Sequence, residues 1–488
     1  MHLIFFSSAG WEDWDVEHGP LTRHAMPVLI DDDLRFEDEL GPRATVVANR
    51  WLGELPVSGA PSANTWEVYA RVLKDWLAFL GVHGLSAFGA RERLRAGLSL
   101  YAEYRLAGPL EIRLAESSWN LHVGTLAQFY EWAEDEGYAS AVPFTYAAAK
   151  RLVEDRLVTV RRNLAKVRQP RAHTTIKYLA PEFAELFVHA LEGLLPDGSP
   201  DPRFRGLNPG RNAAMALLVL SSGLRRQEFT HLLVPEVPPL PPEPTALPIL
   251  LPVAAGITKG RKQRTTWISY DALDLVHRYL DLERPLAAGG STWRSDPAVG
   301  EPLVVTAADW HGGKVNGRRV SWSRLTPADR LRLVDADGRS LLLALQRDGA
   351  PFLDWATVFR RVSDDIRERF EPRFPHVHPH RLRHSMAMAT LEQLVAGYYQ
   401  QAAQLVVDTD DNPALALYLT KADPMEVLRD LLGHSSVTST QVYLSRLDTT
   451  RVFRDAYEHA GRDAGLSEDV LAEVDAEFAE DDDWTVKV

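Results

Sequence analysis

One stretch near the carboxyl end, residues 423–444, constrains the fold more than any other part of the sequence. Asp423 is a favourable N-cap, a proline follows at the first helical position, and apolar residues then recur at helical spacing. Gly433 provides the left-handed stop that ends such a helix, and His434 follows it directly. Tyr443 comes nine residues after that histidine on a second short helix. The pattern therefore predicts a histidine and a tyrosine that face one site.

Length and composition exclude several classes of protein. The chain has 488 residues, enough for two to four domains, and it contains no cysteine. Disulfides, thiolate zinc sites and a cysteine nucleophile are therefore excluded. No apolar run approaches the ~18 residues that a transmembrane helix needs, and the first residues lack the basic lead-in of a secretory signal. We expect a cytoplasmic protein with no membrane partner.

The charge is distributed unevenly along the chain. The formal net charge is −13, but residues 1–60 carry −7 and residues 464–488 carry −8. The 403 residues between them are therefore slightly basic, at +2. Within that middle part, Lys150 to Lys177 holds nine basic side chains against two acidic ones. This basic stripe predicts contact with phosphates, and therefore with nucleic acid.

Periodicity and composition divide the chain into segments of different character. Apolar residues at helical spacing predict about four helices in 62–148, whereas prolines and acidic clusters in 1–60 indicate little regular structure. The fold class we predict is mainly α with a small β-hairpin or sheet (α+β). The segments are an acidic N-terminal appendage (1–60), a helical domain (61–148), a basic linker (149–177), a second domain (178–463) with insertions at 234–253, 285–350 and 391–422, and an acidic tail (464–488).

Four separated places in the second domain offer groups suited to phosphoryl transfer. Arg225 lies at a helix start, where a guanidinium fork can bind phosphate oxygens and Glu228 can hold it. Lys259 lies in a Lys-Gly-Arg-Lys turn between two short strands predicted within 257–269, where it can protonate a leaving oxygen. His380 and Arg383 share one helix face, and His434 with Tyr443 is the fourth place. A tyrosine is a poor nucleophile at neutral pH, so two arginines must stabilise the charge that develops on phosphorus.

These boxes resemble those of the tyrosine recombinases, the phage-integrase family. SSGLRRQE is similar to the first arginine box, TKGRKQR to the lysine hairpin, PHRLRHSMA to the His-x-x-Arg-His box, and LLGHSSVTSTQVY to the segment that carries the nucleophile. All four occur in the family order, over roughly 176–460, and 62–148 is similar to the core-binding domain that precedes them. The resemblance implies a site-specific integrase of a mobile element.

The resemblance also implies roles for individual residues. Tyr443 would attack the scissile phosphate and form a 3′-phosphotyrosyl link, Lys259 would protonate the 5′-oxygen, and His380 would transfer a proton to or from the tyrosine. Arg225, Arg383 and His434 would bind the non-bridging oxygens. No metal or other cofactor is required. The partners implied are double-stranded DNA and three further copies of the chain in a tetramer, acting through a Holliday junction in the nucleoid. The basic side chains expected to contact DNA are Arg161, Arg162, Lys166, Arg168, Arg171, Arg261, Lys262 and Arg264.

Several alternatives remain at this stage. Lys262 is a second candidate for the proton donor, because Thr258 stands where the family favours glycine before the lysine. A catalytically inactive DNA-binding relative would carry the same boxes. A metallohydrolase would use His380 and His384, which at i and i+4 could bind zinc. The target site, the direction of recombination and the host element are not encoded in these motifs.

Overall fold

The computed structural model describes residues 1–7, 21–39, 41–60, 62–153, 156–168, 177–245, 247–295, 300–395, 424–434 and 443. The chain divides into two compact units, Met1–His173 and Thr174–Val488. Each unit has its own main hydrophobic core. Among the described helices, none is long and apolar enough to cross a membrane.

Within its described residues, the first unit is built from four helices and three pairs of short strands. Its helices bury apolar stripes at the predicted spacing; in the second of them Trp66, Leu73, Trp76 and Leu80 all face the core. The elements are β1 (His2–Phe5), β2 (Pro27–Ile30), β3 (Glu37–Asp38), β4 (Gly41–Pro42), α1 (Ala44–Glu54), α2 (Ala63–Val82), α3 (Arg91–Leu106), α4 (Glu116–Asp135), β5 (Tyr146–Val153) and β6 (Arg156–Asn163).

The first sixty residues differ from the irregular appendage that we expected. Strands β1 and β2 pair antiparallel, and α1 packs in the same core as α2 and α4. Met26, Leu29 and Trp51 are buried in that core. We had predicted little regular structure from the prolines and acidic clusters. These three apolar residues lie outside those clusters, and their burial stabilises regular structure despite the charge. The described part of 1–60 therefore belongs to the first unit.

The basic segment 149–177 differs from an extended linker over most of its described length. Strands β5 and β6 form an antiparallel hairpin in which Ala148 lies opposite Arg161 and Ala147 opposite Arg162. The chain that follows is tied to α4, where the indole of Trp119 donates to the carbonyl of Ala165 at 2.9 Å. The run of β-branched residues at 158–160 favours a strand, and we had interpreted this segment only by its charge.

The second unit contains nine described helices and two small sheets. Strands β7 and β8 form an antiparallel pair, and the other four strands form a sheet in the order β11-β10-β9-β12. This confirms the predicted mainly α fold with small sheets. The elements are α5 (Pro181–Glu192), α6 (Pro209–Ser222), α7 (Arg226–Thr230), β7 (Ile249–Val253), β8 (Arg264–Ile268), α8 (Tyr270–Arg278), α9 (Arg284–Gly289), β9 (Leu303–Asp309), β10 (Gly312–Val315), β11 (Arg318–Ser321), α10 (Pro327–Leu331), β12 (Leu333–Val334), α11 (Trp355–Arg369), α12 (Pro379–Val395) and α13 (Pro424–Leu432).

The hairpin that carries the lysines begins earlier than predicted. Its first strand is β7, at the end of the proline-rich stretch 234–253 that we had assigned to an insertion. Pro252 lies opposite Thr265 within a sheet of only two strands. Both strands of such a sheet are edge strands, where a missing N–H donor is tolerated. We call residues 258–263, which connect β7 and β8, the lysine loop.

The predicted insertion 285–350 does contain short elements of its own, but its core is continuous with that of the unit. Val305, Trp322 and Leu333 are buried in the same hydrophobic cluster as α6 and α8. Arg330 is fully buried, and its Nη2 donates to Oε1 of Glu236 at 2.8 Å and to the carbonyl of Trp322 at 3.0 Å. This segment therefore supports the second unit.

Some predictions fall outside the described residues. These are most of the insertion 391–422, whose first five residues end α12, the acidic tail 464–488, the linker residue Arg171, and the N-cap Asp423.

Candidate active site

Arg225 is held at the start of α7 by a buried glutamate. Helix α6 ends at Gly223, which has a left-handed φ of +64°, and Arg225 is the N-cap of the next helix. The backbone N–H of Arg225 donates to Oε2 of Glu228 at 2.7 Å, and its Nη1 donates to Oε1 at 3.1 Å. Glu228 is fully buried, whereas the side chain of Arg225 is 27% exposed. The guanidinium is therefore fixed on one side and open on the other.

Arg264 has partners within the protein, in addition to its place among the predicted DNA contacts. We assigned it to DNA contact, but its side chain is only 9% exposed and forms a bidentate pair with Glu228. Nη1 donates to Oε1 at 2.7 Å and Nη2 to Oε2 at 2.7 Å. Burial would raise the pKa of Glu228, but the hydrogen bonds and charges of Arg264 and Arg225 lower it below its ordinary value. Glu228 is therefore ionised and shared by two arginines.

Three successive carbonyls at the carboxyl end of α13 each accept a hydrogen bond from a different arginine. Nε of Arg264 donates to the carbonyl of Leu431 at 3.1 Å, and Nη2 of Arg225 donates to that of Gly433 at 3.0 Å. Arg383 donates to the carbonyl of Leu432 between them, and its other terminal nitrogen donates to the carbonyl of Gly223. The carbonyls of a last helical turn have no intrahelical partner and carry partial negative charge, so cations there are stabilising. We call Arg225, Arg264 and Arg383 the arginine cluster.

Gly433 makes this close approach possible. Its φ is +61°, as predicted for a helix stop, and a Cβ there would lie 2.7 Å from Cδ of Arg264. A side chain at this position would therefore both strain the backbone and displace a member of the arginine cluster.

Tyr443 is buried, with 3% of its surface exposed, and its hydroxyl lies 2.8 Å from Nδ1 of His384. Burial, together with the charges of His380 and Arg383, lowers the pKa of His384 to about 4, so its imidazole is neutral at pH 7. Burial raises the pKa of the Tyr443 hydroxyl, and the charges of Arg383 and Arg225 oppose that rise. A neutral imidazole next to a protonated phenol is an arrangement suited to proton transfer.

His384 is the functional candidate that our sequence interpretation missed. We assigned proton transfer to His380, which is exposed and whose ring centroid lies 4.2 Å from that of His384. Burial and the charge of Arg383 lower the pKa of His380. The available signal was the second histidine of PHRLRH, one helical turn after His380, which we had considered only as a zinc ligand.

His434 and Arg383 complete the inner part of the site. The backbone N–H of His434 donates to the carbonyl of Arg429 at 3.0 Å, which continues the turn at Gly433. Burial and the charges of Arg383 and Arg225 lower the pKa of His434 to about 4, so it too is neutral. Burial lowers the pKa of Arg383 to about 9, which leaves it cationic at pH 7.

A cleft of about 670 Å³ opens between the lysine loop and the end of α13. Five basic side chains line it, and Asp430 is the one carboxylate among the described lining residues. Asp430 accepts a hydrogen bond from Nε of Arg429 at 2.9 Å, and the basic side chains outnumber this carboxylate, so the lining carries a net positive charge. The basic lining residues are Arg225, Lys259, Lys262, Arg264 and Arg429. Both lysines are exposed, so either can reach a bound anion.

The other predicted DNA contacts lie on exposed surfaces. Arg162, Lys166 and Arg168 are exposed near the end of the first unit. Arg161 is exposed as well, but its guanidinium lies 3.6 Å from the ring centroid of Tyr146 and within 3.6 Å of Glu131. Arg261 is in the lysine loop with a left-handed φ of +52°. As for the zinc alternative, no group of three or more possible metal ligands occurs within the part of the chain that the structure describes.

No family model matches the chain, and no curated protein matches it. Solved structures do. A Tn1549 transposon integrase in complex with transposon right end DNA is 12% identical, with coverage of 81% of this chain and 94% of that one, at a TM-score of 0.43. An XerH site-specific recombinase bound to a difH substrate is 13% identical, covering 86% of this chain and 85% of that one, at 0.45. An XerA recombinase is 16% identical, covering 85% and 98%, at 0.31.

The chain is similar to DNA recombinases and integrases. The four boxes of the sequence resemble the same group of proteins. At these identities and scores, the roles of individual residues rest on the geometry of this chain alone.

Proposed function

We propose that this chain is a site-specific DNA recombinase that cleaves and rejoins DNA through a phosphotyrosyl link at Tyr443. The observation that carries the proposal is the hydroxyl of Tyr443, which lies 2.8 Å from a neutral imidazole and experiences the positive charges of Arg383 and Arg225. Arg225 also lines the positive cleft. Cleavage of a DNA phosphodiester by a tyrosine needs a nucleophile, a proton acceptor, cations that stabilise the negative charge on the phosphate, and a proton donor for the leaving group. The site provides a candidate for each of these.

Arg225 and Arg383 would bind the non-bridging oxygens of the scissile phosphate. One terminal nitrogen of Arg225 and both terminal nitrogens of Arg383 donate to backbone carbonyls, which fixes the two guanidiniums. Each of these nitrogens carries a second N–H that can donate to the substrate. Donors held in this way need no reorganisation when negative charge develops on the oxygens. His434, which is neutral among these cations, would contribute a hydrogen bond without adding charge.

The two proton transfers would use opposite sides of the site. As the oxygen of Tyr443 bonds to phosphorus, its proton passes to Nδ1 of His384, and the bond from phosphorus to the 5′-oxygen breaks. Lys259 protonates that leaving oxygen, with Lys262 as the alternative donor. Rejoining reverses both transfers when a 5′-hydroxyl attacks the phosphotyrosine. The reaction consumes no cofactor, because the energy of the cleaved ester is kept in the new ester.

Recombination between two duplexes requires four such cleavages. We therefore propose that the protein acts on double-stranded DNA as a homotetramer through a Holliday junction, as the resemblance of the four boxes implies. The exposed basic side chains Arg162, Lys166 and Arg168 would contact the DNA backbone outside the cleft.

The decisive test is a DNA duplex nicked next to the candidate cleavage site, so that the released 5′-hydroxyl fragment is lost and a covalent protein–DNA adduct accumulates. We expect an adduct with the wild type and none with Tyr443→Phe, which removes one hydroxyl and little volume. Tyr270→Phe, at the start of α8, is the matched control and should retain the adduct. A full-strength adduct with Tyr443→Phe would move the nucleophile elsewhere, with Tyr398, Tyr399 and Tyr418 as the next candidates.

The same assay separates the two histidines of α12. His384→Gln should slow adduct formation more than His380→Gln, because only His384 has a described hydrogen bond to the Tyr443 hydroxyl. The reverse order would return proton transfer to His380. A catalytically inactive DNA-binding relative is the second candidate function, and it would bind DNA in gel shifts without giving any adduct.

A further inference from the structure

We propose that Arg264 is a positioning residue, which holds the phosphate-binding fork of Arg225 in place through Glu228 and through the end of α13. This inference rests on the proposed function, because it concerns how the guanidinium of Arg225 is held in position to bind the phosphate. It removes Arg264 from the residues that contact DNA.

All three nitrogens of the Arg264 guanidinium have acceptors within the protein. Both terminal nitrogens donate to Glu228 at 2.7 Å, and Nε donates to the carbonyl of Leu431 at 3.1 Å. Arg225 presents the opposite arrangement, because it contacts the same glutamate from the cleft side and remains partly exposed. Both arginines line the cleft, and Arg225 is the more exposed of the two, at 27% against 9% for Arg264.

Glu228 transmits the position of one arginine to the other. Its Oε1 accepts from Nη1 of Arg264 and Nη1 of Arg225, and its Oε2 accepts from Nη2 of Arg264 and the backbone N–H of Arg225. A bidentate pair fixes the plane of a carboxylate, which a single ammonium group cannot do. The orientation of Glu228, and hence that of Arg225, therefore depends on the fork at position 264.

A second connection runs through the helix end. Arg264 bonds the carbonyl of Leu431, Arg225 bonds that of Gly433, and Gly433 has no side chain to separate them. Arg264 thus bonds the carboxylate that anchors Arg225 and also bonds the helix end two residues before the carbonyl that anchors Arg225. Displacement of catalytic groups by about 1 Å can cost about 10²-fold in rate. A positioning defect should accordingly appear in the cleavage step.

The test is Arg264→Lys, which keeps the charge next to Glu228 and removes the fork. At saturating protein, the rate of adduct formation on the nicked duplex should fall about 10- to 100-fold, while the dissociation constant for DNA changes less than about twofold. Arg278→Lys is the matched control, because Arg278 forms an exposed ion pair with Asp274 on α8. It should leave both quantities unchanged.

A double-mutant cycle distinguishes positioning from general support of the fold. If Arg264 acts through Arg225, then Arg225→Lys/Arg264→Lys should be no more than about twofold slower than Arg225→Lys alone. Should Arg264→Lys fail to fold, as judged by its melting curve, Arg264→Met/Glu228→Gln removes both buried charges together and should fold, bind DNA and cleave slowly.

Four results would overturn the inference. Two of them are cleavage at the wild-type rate by Arg264→Lys or by Arg264→Met/Glu228→Gln. The third is that the rate losses of Arg225→Lys and Arg264→Lys multiply in the double variant. The fourth is that Arg264→Lys loses DNA affinity but cleaves at the normal rate at saturating protein. If the wild type itself gives no adduct, the proposed function fails and the inference fails with it. A normal wild-type adduct together with any of the four results defeats the inference alone.

Discussion

The two sides of the cleft hold their cations in opposite ways. In the arginine cluster, Arg383 is buried, the side chain of Arg264 is 9% exposed, and every member bonds a backbone carbonyl at the end of α13. In the lysine loop, Lys259 and Lys262 are exposed, on a turn whose Gly260 and Arg261 have left-handed φ angles. The comparison indicates that binding an anion and protonating a leaving group impose different demands. Arginines that bind the phosphate should be held rigidly, whereas a lysine that donates a proton must be able to move to the leaving oxygen.

The largest effect should come from the exposed side. Lys259→Ala removes the proposed proton donor, so adduct formation should slow by about 10²- to 10⁴-fold, the usual contribution of general acid catalysis. The melting temperature should not change, because the side chain is exposed on a loop. Single-turnover cleavage and a melting curve on the same preparation measure both. Lys262→Ala is the comparison variant, and a larger loss with it would make Lys262 the donor.

A chemically altered substrate sharpens this prediction. If the 5′ bridging oxygen is replaced by sulfur, the leaving group is a thiolate and needs little protonation. The Lys259→Ala variant should then cleave at nearly the wild-type rate. A deficit that persists on this substrate would mean that the lysine binds DNA and does not donate a proton.

The second effect belongs to the arginine cluster, and here rate and stability should fall together. Arg383→Lys should slow cleavage by about 10²-fold or more and also lower the free energy of unfolding by about 2–4 kcal/mol, since hydrogen bonds to a buried charged group are lost. Arg225→Lys should lose a similar factor in rate with a smaller loss of stability, because its side chain is partly exposed. Denaturant unfolding provides the free energies. Normal cleavage in both variants would show that the phosphate binds elsewhere.

The smallest expected effect is a loss of stability at low pH. It should arise from His384 and His434, on the side of the arginine cluster, and not from the lysine loop. The pKa values of His384 and His434 are about 4 in the folded protein, below the ordinary value of 6.5. Between these values the unfolded chain binds more protons than the folded one, so stability is complete above about pH 6.5 and falls as the pH decreases towards 4.

Melting curves at several pH values test this expectation. The variants His384→Gln and His434→Gln should each show a smaller loss of melting temperature between pH 6.5 and 4. His311→Gln, on an exposed turn of the four-stranded sheet, should follow the wild type. If all three variants follow the wild type, the acid sensitivity arises from other groups.

Local patterns in the sequence anticipated much of this site. The stop at Gly433, the helix start at Arg225 and the shared helix of His380 and Arg383 all depend on residues within a few positions of one another. Capping and helical spacing encode such features directly. The mainly α fold could be predicted for the same reason.

What the sequence did not reveal depends on contacts between distant residues. Arg264 is 36 residues from Glu228, and His384 is 59 residues from Tyr443. No local pattern distinguishes an arginine that will be buried against a carboxylate from one that will face DNA. The first sixty residues were misjudged on related grounds, because Met26 and Trp51 are buried by helices that follow them in the chain.

The buried pair of Arg330 and Glu236 limits how far this protein can be reduced to a minimal active fragment. Glu236 lies just after α7, close in sequence to the arginine box, whereas Arg330 lies within the segment 285–350. Excision of that segment would leave a carboxylate without its counterion inside the core, a change that commonly costs 3–5 kcal/mol. A shortened protein would therefore need Glu236 replaced at the same time by an apolar residue of similar volume.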